Sequence, residues 1–214
     1  MKVKNQLLLL SIAALLSATA CNTKPEKKEG PAPLVEMKSF FKNGDKTSFQ
    51  ISPDGNYYSY RADYKGKMNI FVQKVGDTSA IRITNDTLRS IFNYQWKGGR
   101  IVYSQDIGGD ENFQLFSVMP DGSNLKALTP FPGYRSELLD DLRYIQGKEN
   151  LVLVMINKRD KRYFDPYVVN VESGELTLLY ENKDNYDTWY IDNSGMIRMA
   201  TKTDGVNEIG RAHV

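Results

Sequence analysis

A phrase of four short strands separated by tight turns recurs along the chain from Phe40 onward, and it narrows the possible folds more than any other feature. One copy runs through residues 49–52, a Pro53-Asp54-Gly55-Asn56 turn, residues 57–61, 69–75 and 80–84. A second uses residues 94–96, a Lys97-Gly98-Gly99 turn, residues 100–104, 113–118, a Pro120-Asp121-Gly122-Ser123 turn and residues 125–129. A third is predicted over 142–145, 151–156, 167–171 and 176–180, and a fourth over 189–191 and 196–201, stopping after its second strand. The third strands align at Ile70, Leu115 and Tyr167, 45 and then 52 residues apart. Aromatic and β-branched strands suit packed sheets, and Asp-Gly and Gly-Gly supply the positive φ of tight hairpins. One such unit cannot bury both its faces, so copies must stack around an axis. The expected fold is therefore all-β: a β-propeller of four-stranded antiparallel blades. A β-sandwich has similar strands, but its topology does not repeat a four-strand phrase. At about 46 residues per copy, residues 39–208 hold about 3.5 to 4 blades. Closed propellers mostly use four to eight, so the propeller is read as incomplete.

The N-terminus reads as an address. Lys2 and Lys4 form a basic n-region, and residues 7–16 are apolar except Ser11, too short to span a membrane. Ser17-Ala18-Thr19-Ala20 then runs into Cys21, the single cysteine. This resembles a bacterial lipoprotein signal, and it implies a signal peptide over 1–20 and lipid attachment at Cys21. Residues 21–38 are dominated by Pro, Lys and Glu, and they are expected to form a flexible tether. Asn22 is not the aspartate that retains such lipoproteins in the inner membrane. The expected location is the bacterial envelope, with the lipid as the membrane partner, on the outer membrane or its periplasmic face. At the other end, residues 209–214 fit no expected strand. Their codons can spell a common sequencing adapter in frame, so a non-native tail is expected there.

Charge and residue counts exclude several functions. The net charge is +2. Without Lys2 and Lys4 the 28 basic residues fall to 26, against 26 acidic. No basic run remains, so no nucleic-acid partner is expected. One cysteine and one histidine, His213, leave no zinc set and no disulfide framework. No metal or other cofactor is expected. A Ser-His-Asp triad lacks its base, since His213 falls in the suspect tail, and no Gly-x-Ser-x-Gly turn exists. Asp140-Asp141 and Asp110-Glu111 are adjacent pairs, which point to opposite faces of a strand and do not make a dyad. No catalytic residue is expected in the chain.

The remaining candidates are loops. Gly108-Gly109-Asp110-Glu111-Asn112 joins the second and third strands of the second copy, and residues 61–67 occupy the equivalent place in the first. Residues 129–135, with two prolines, lead to the third copy. In a propeller these segments share one end. Arg61, Asp110, Glu111, Asn112 and Arg135 are thus the candidate residues facing a peptide or a partner domain. Arg159-Asp160-Lys161-Arg162, in the matching turn of the third copy, is read as a solvated basic loop.

Ile51-Ser52-Pro53-Asp54-Gly55, Tyr57-Tyr58-Ser59-Tyr60 and Asn69-Ile70-Phe71-Val72 resemble repeats of TolB-type propellers and of prolyl oligopeptidase-family (S9) serine peptidases. Gly109-Asp110-Glu111-Asn112-Phe113-Gln114-Leu115-Phe116, Asp121-Gly122 and Leu128-Thr129-Pro130-Phe131 are similar to the propeller of the acylaminoacyl-peptidase-like members. The resemblance covers residues 40–208. It implies a propeller that precedes an α/β-hydrolase domain, caps its active site and admits only short peptides. Nothing after Glu208 resembles that domain, so no catalytic residue carries over, and the chain is expected to stop before the chemistry. The alternative is a TolB-like propeller lipoprotein that binds proteins in the envelope.

Overall fold

The computed structural model describes Gly30 and residues 34–41, 44–205 and 207–212. The signal segment, Cys21, most of the tether and His213 lie outside the described residues. The chain divides into two compact units, 1–43 and 44–214. In the first, α1 (Met37–Phe41) is a single turn whose residues are all exposed. It straddles the expected boundary between tether and propeller.

The second unit is built of antiparallel sheets whose strands follow one another in sequence, without crossovers. Blade 1 is β1 (Lys46–Ile51), β2 (Tyr57–Tyr64), β3 (Lys67–Lys74) and β4 (Ile81–Arg82). Blade 2 is β5 (Tyr94–Lys97), β6 (Arg100–Gln105), β7 (Gln114–Val118) and β8 (Lys126–Ala127). Blade 3 is β9 (Ser136–Asp140), β10 (Leu151–Asp160), β11 (Tyr163–Asn170) and β12 (Leu176–Leu178). Blade 4 has three described strands, β13 (Thr188–Ile191), β14 (Ile197–Asp204) and β15 (Asn207–Ala212). This is the expected incomplete propeller of four-stranded blades.

Local chemistry sets the strand ends. At the β1–β2 turn, Asp54 accepts hydrogen bonds from Ser52 Oγ (2.6 Å) and the Asn56 N–H (3.0 Å), and Gly55 takes φ 72°. Asp121 with Gly122 and Asp192 with Gly195 repeat the device in blades 2 and 4. The blades meet through apolar side chains. Ile70 and Val72 of blade 1 pack with Trp96, Ile101 and Tyr103 of blade 2, and Trp96 Nε1 donates to Ser59 Oγ across the seam (2.8 Å). Val102 and Leu115 of blade 2 pack with Val152, Val154, Val169 and Val171 of blade 3. Trp189 and Ala200 of blade 4 pack with Leu139 and Met155 of blade 3. Each fully buried aliphatic side chain contributes about 1.5–3 kcal/mol, and the seams hold most of them.

Three expectations need correction. The first strand of blade 3 is β9, upstream of the predicted 142–145. Asp140 and Asp141 accept the N–H groups of Leu142 (2.6 Å) and Arg143 (3.0 Å), and Leu142 takes φ 48°, so two consecutive side-chain-to-backbone turns end the strand before the apolar run. Blade 4 continues past its second strand. Its third, β15, includes residues 209–212, which were expected to fit no strand; Lys202 pairs with Ile209 and Ala200 with Arg211. Third, the basic stretch 159–162 is not simply solvated. Arg159 grips Asp165 through Nε (3.1 Å) and Nη2 (3.0 Å) and donates to the Asn182 carbonyl (2.6 Å).

Strand order gives the propeller two ends. The hairpin end carries the β1–β2, β5–β6, β7–β8, β9–β10 and β13–β14 turns. The connector end carries the β2–β3, β6–β7, β10–β11 and β14–β15 turns and the links between blades.

Candidate functional site

A cleft of about 570 Å³ opens among the described residues at the connector end, between blades 2 and 3. That volume lies within the usual range for small-ligand sites. The starts of β5 and β9, the first strands of their blades, form two walls, with the end of β6 and the start of β7 behind them. Phe92, Phe113, Leu115 and Leu138 make much of the lining apolar. Tyr103 lies at the back, and burial pushes its phenol up to about 12, so it stays neutral.

The polar groups are few and unequal. Arg135 and Glu137 pair at 2.7 Å, both partly exposed, and Arg135 sits 6.0 Å over the Phe113 ring. Their charges cancel. Ser136 between them is 1% exposed, and its N–H is spent on the Phe113 carbonyl (2.8 Å). Its Oγ, like the buried Nε2 of Gln95 across the cleft, has no hydrogen-bond partner among the described residues. Burying such a group unpaired costs about 1–3 kcal/mol, and native proteins tolerate few.

The sequence-derived candidates gather around this cleft unevenly. Arg135 lines it. Arg61 does not lie in a turn: it is a β2 residue, and its guanidinium is occupied by Ser48 Oγ (2.7 Å) and the carbonyls of Ile91 (3.0 Å) and Phe92. It fixes the backbone of a cleft residue from behind. Asp110 organises its own loop, accepting from Asn112 Nδ2 (3.1 Å) and the N–H groups of Asn112 (3.1 Å) and Ile107 (3.3 Å). These bonds, the Asn112 side chain first, hold its carboxyl below the usual range. Glu111 is exposed at φ 61°, and its N–H reaches Asp106 (3.3 Å). Asn112 is half-buried beside Phe113, at the rim. Cys21 lies outside the described residues. Sequence reasoning missed Gln95, Ser136, Glu137 and Phe92. Their common signal is position, at or just before the first strand of a blade, and the misplaced first strand of blade 3 hid it.

A second cavity, about 520 Å³, opens at the hairpin end among blades 1, 2 and 3. Its charged groups are all engaged. Lys97 is 4% exposed and donates to the Leu142 carbonyl (3.2 Å), and burial pushes its ammonium pKa down. Asp54, Asp121, Glu149 and Arg143 bond Asn56, Ser123, Gly147 and Asp141 respectively. The connector-end cleft is therefore the better candidate. Among the described residues no base bonds Ser136 Oγ. Among the described residues no cluster of three His, Cys, Asp or Glu is placed to hold a metal.

No family model matches the chain. The chain is 33% identical over 181 residues to dipeptidyl aminopeptidase BIII of Pseudoxanthomonas mexicana, a match covering 82% of this chain and 26% of that protein. It thus spans about a quarter of that relative's length. Among solved structures, oligogalacturonate lyase in complex with manganese superposes with a TM-score of 0.52 at 9% identity, over 78% of this chain and 50% of that one. TolB from Acinetobacter baumannii gives a TM-score of 0.48 at 13% identity, over 76% and 39%. The likeness to the lyase speaks to fold alone.

Proposed function

We propose, from the premise that this chain belongs to the prolyl oligopeptidase-type (S9) serine peptidases as part of their β-propeller, that it caps a catalytic α/β-hydrolase domain and filters its substrates. The observation that carries this reading is the 33% identity to a dipeptidyl aminopeptidase, sustained over 181 residues. The full protein would hydrolyse short peptides, releasing dipeptides as its relative's name states. A serine would attack the scissile carbonyl, pass through an acyl-enzyme and be relieved by water. The propeller's part is steric and adhesive. A ring of blades across the catalytic entrance excludes folded proteins, and the connector end offers peptide-sized space with binding groups. Arg135, Asn112, Glu111 and Asp110 are the loop residues proposed to face the peptide or the hydrolase domain, with Arg61 supporting from behind.

The full protein should label with a serine-directed fluorophosphonate and release dipeptides from short peptides. Absence of labelling in a folded, full-length preparation overturns the reading. The envelope location is part of the same proposal: export through residues 1–20, lipidation at Cys21 and a tether to the propeller. Cys21→Ser should move the protein from the membrane fraction to the soluble one; an unchanged membrane fraction removes the anchor.

A further inference from the structure

The connector-end cleft carries a statement about ligand chemistry. Its ionic groups are matched to each other, Arg135 to Glu137 at 2.7 Å, so nothing within it calls for a net charge. The two buried groups of the cleft with no partner among the described residues are uncharged: the Gln95 amide donor, and the Ser136 hydroxyl, which can donate or accept. They stand on walls contributed by different blades, with Phe92, Phe113, Leu115 and Leu138 around them. The complement of an amide donor, a hydroxyl and apolar walls is an amide group beside an apolar side chain. A sugar would bring a hydroxyl on nearly every carbon and leave most of them unpaired. A phosphate or free carboxylate would find its cation already neutralised. The hairpin-end cavity, of similar size, offers no comparable pair of unpartnered atoms.

We propose that the cleft between blades 2 and 3 is a docking subsite for the uncharged backbone of a peptide substrate. In it, Gln95 Nε2 and Ser136 Oγ, both covered in the free protein, turn outward to bond a backbone amide, and the apolar walls take an aromatic or aliphatic side chain. This rests on the peptidase reading and deepens it: the subsite holds a stretch of substrate away from the reacting end and favours apolar residues there. Neither residue is a catalytic residue. Their contribution is to affinity, and so to KM and not to kcat, for substrates long enough to reach the cleft.

The test uses the full-length protein with two probes. N-acetyl-phenylalaninamide, neutral and blocked at both ends, is titrated by calorimetry, with free phenylalanine as the charged control. Internally quenched peptides of increasing length give KM and kcat. The capped probe should bind more tightly than the free amino acid. Gln95→Met and Ser136→Ala should each weaken it about three- to tenfold, the usual loss for one uncharged hydrogen bond. Both variants should raise KM for the longer peptides and leave kcat and the shortest substrate unchanged. Lys97→Met, at the opposite end, should change none of these. Equal binding by all three variants, or no binding of the capped probe to the wild-type protein, overturns the proposal and leaves the cleft to ordered water. As a measurement independent of any variant's folding, a capped peptide carrying a benzophenone should crosslink to residues 92–95, 113 or 135–138; crosslinks elsewhere count against it. Fluorophosphonate labelling in the same samples separates the two ideas. Labelled protein with unaltered KM values sinks the subsite alone, and unlabelled protein sinks the peptidase reading.

Discussion

The two ends of the propeller use similar residues to opposite effect. At the hairpin end, Asp54, Asp121, Glu149 and Asp192 close turns on backbone N–H groups, and the buried Lys97 ammonium ties blade 2 to the Leu142 carbonyl of blade 3. At the connector end, the cleft between blades 2 and 3 leaves Gln95 Nε2 and Ser136 Oγ buried with no hydrogen-bond partner among the described residues. One end has its polar atoms satisfied for stability, and the other leaves several without a hydrogen bond among the described residues, two of them in the cleft. Sheets constrain their own hairpins through register, so short Asp-Gly turns complete themselves locally. The links between blades are longer and bring together the starts of two different sheets, where partners for side chains are not guaranteed. Binding groups therefore collect where the architecture cannot supply internal partners.

The contrast breaks first, and with the largest effect, at a connector-end site whose polar groups are satisfied. Asp165 is 1% exposed and accepts from Arg159 at 3.0–3.2 Å and from the Asn182 N–H at 2.8 Å. Asp165→Ala strands a guanidinium and a buried N–H together and should destabilise by about 3 kcal/mol. Arg159 is one-third exposed, so water recovers part of its loss. The measurement is the urea midpoint of the variant. A loss of only a few tenths of a kcal/mol would mean that hydrogen-bond satisfaction does not govern stability at this end.

Next comes Gly98, in the β5–β6 turn of the hairpin end. It holds φ 56°, and a Cβ there would run into Asn150 Oδ1. Asn150 is not free to yield, because its amide bonds Glu172 Oε2 at 3.0 Å. Gly98→Ala should cost about 2 kcal/mol from the left-handed backbone and the displaced side chain together. Gly99→Ala, with open space around its Cβ position, is the control and should cost well under half as much. Equal losses would show that the hairpin end is less tightly fitted than its geometry indicates.

What could be read beforehand divides along the same line. The repeat was legible because its punctuation is local: Asp54-Gly55, Gly98-Gly99, Asp121-Gly122 and Ser194-Gly195 demand turns whatever lies around them. The first strand of blade 3 was misread because Leu142 and Ile145 look like strand residues. In fact Leu142 is a buried plug after consecutive Asx turns, 2% exposed. Residues 209–212 were set apart because they fitted no expected strand and their codons could spell an adapter, yet they pair with β14 along the backbone. The side-chain roles at the connector end were the least legible. Arg61 and Arg135 are both arginines near one opening. Only tertiary placement distinguishes one locked onto carbonyls from one paired with a carboxylate in the wall. Gln95 and Ser136 carry no motif, and being unpartnered is a property of their surroundings.

Acid sharpens the comparison with a smaller effect. Hydrogen bonds hold the turn carboxylates below the usual 3.8: Asp192 through Ser194 and then Arg198, Asp54 through Ser52 and then Asn56, and at the connector end Asp160, lowered to about 2 chiefly by Arg162. A carboxyl depressed in the folded state stabilises fully above its unfolded value and loses that contribution as pH falls through the folded one. Stability should therefore hold level down to about pH 4 and decline between there and about 2. Asp192→Asn should flatten that decline more than Asp110→Asn, whose loop lies at the connector end. Parallel acid limbs in the two variants would contradict the larger share given to the Asp192 turn.

The smallest change tests the central contrast most directly. Ser136→Ala deletes a hydroxyl that is buried and bonded to nothing among the described residues. If the group were there for the fold, its loss would destabilise, as removal of a paired buried polar atom does. An unpaired one is a net cost to folding, so deleting it should leave stability unchanged or raise it by up to about 1 kcal/mol. The cavity left by one oxygen is too small to offset that gain. The same substitution should weaken peptide binding, so stability and affinity move in opposite directions. That opposition is the signature of a group kept for a ligand. A Ser136→Ala protein less stable than wild type by more than about 1 kcal/mol would show that Oγ has a structural partner, an ordered water among them, and the two ends would no longer differ in kind.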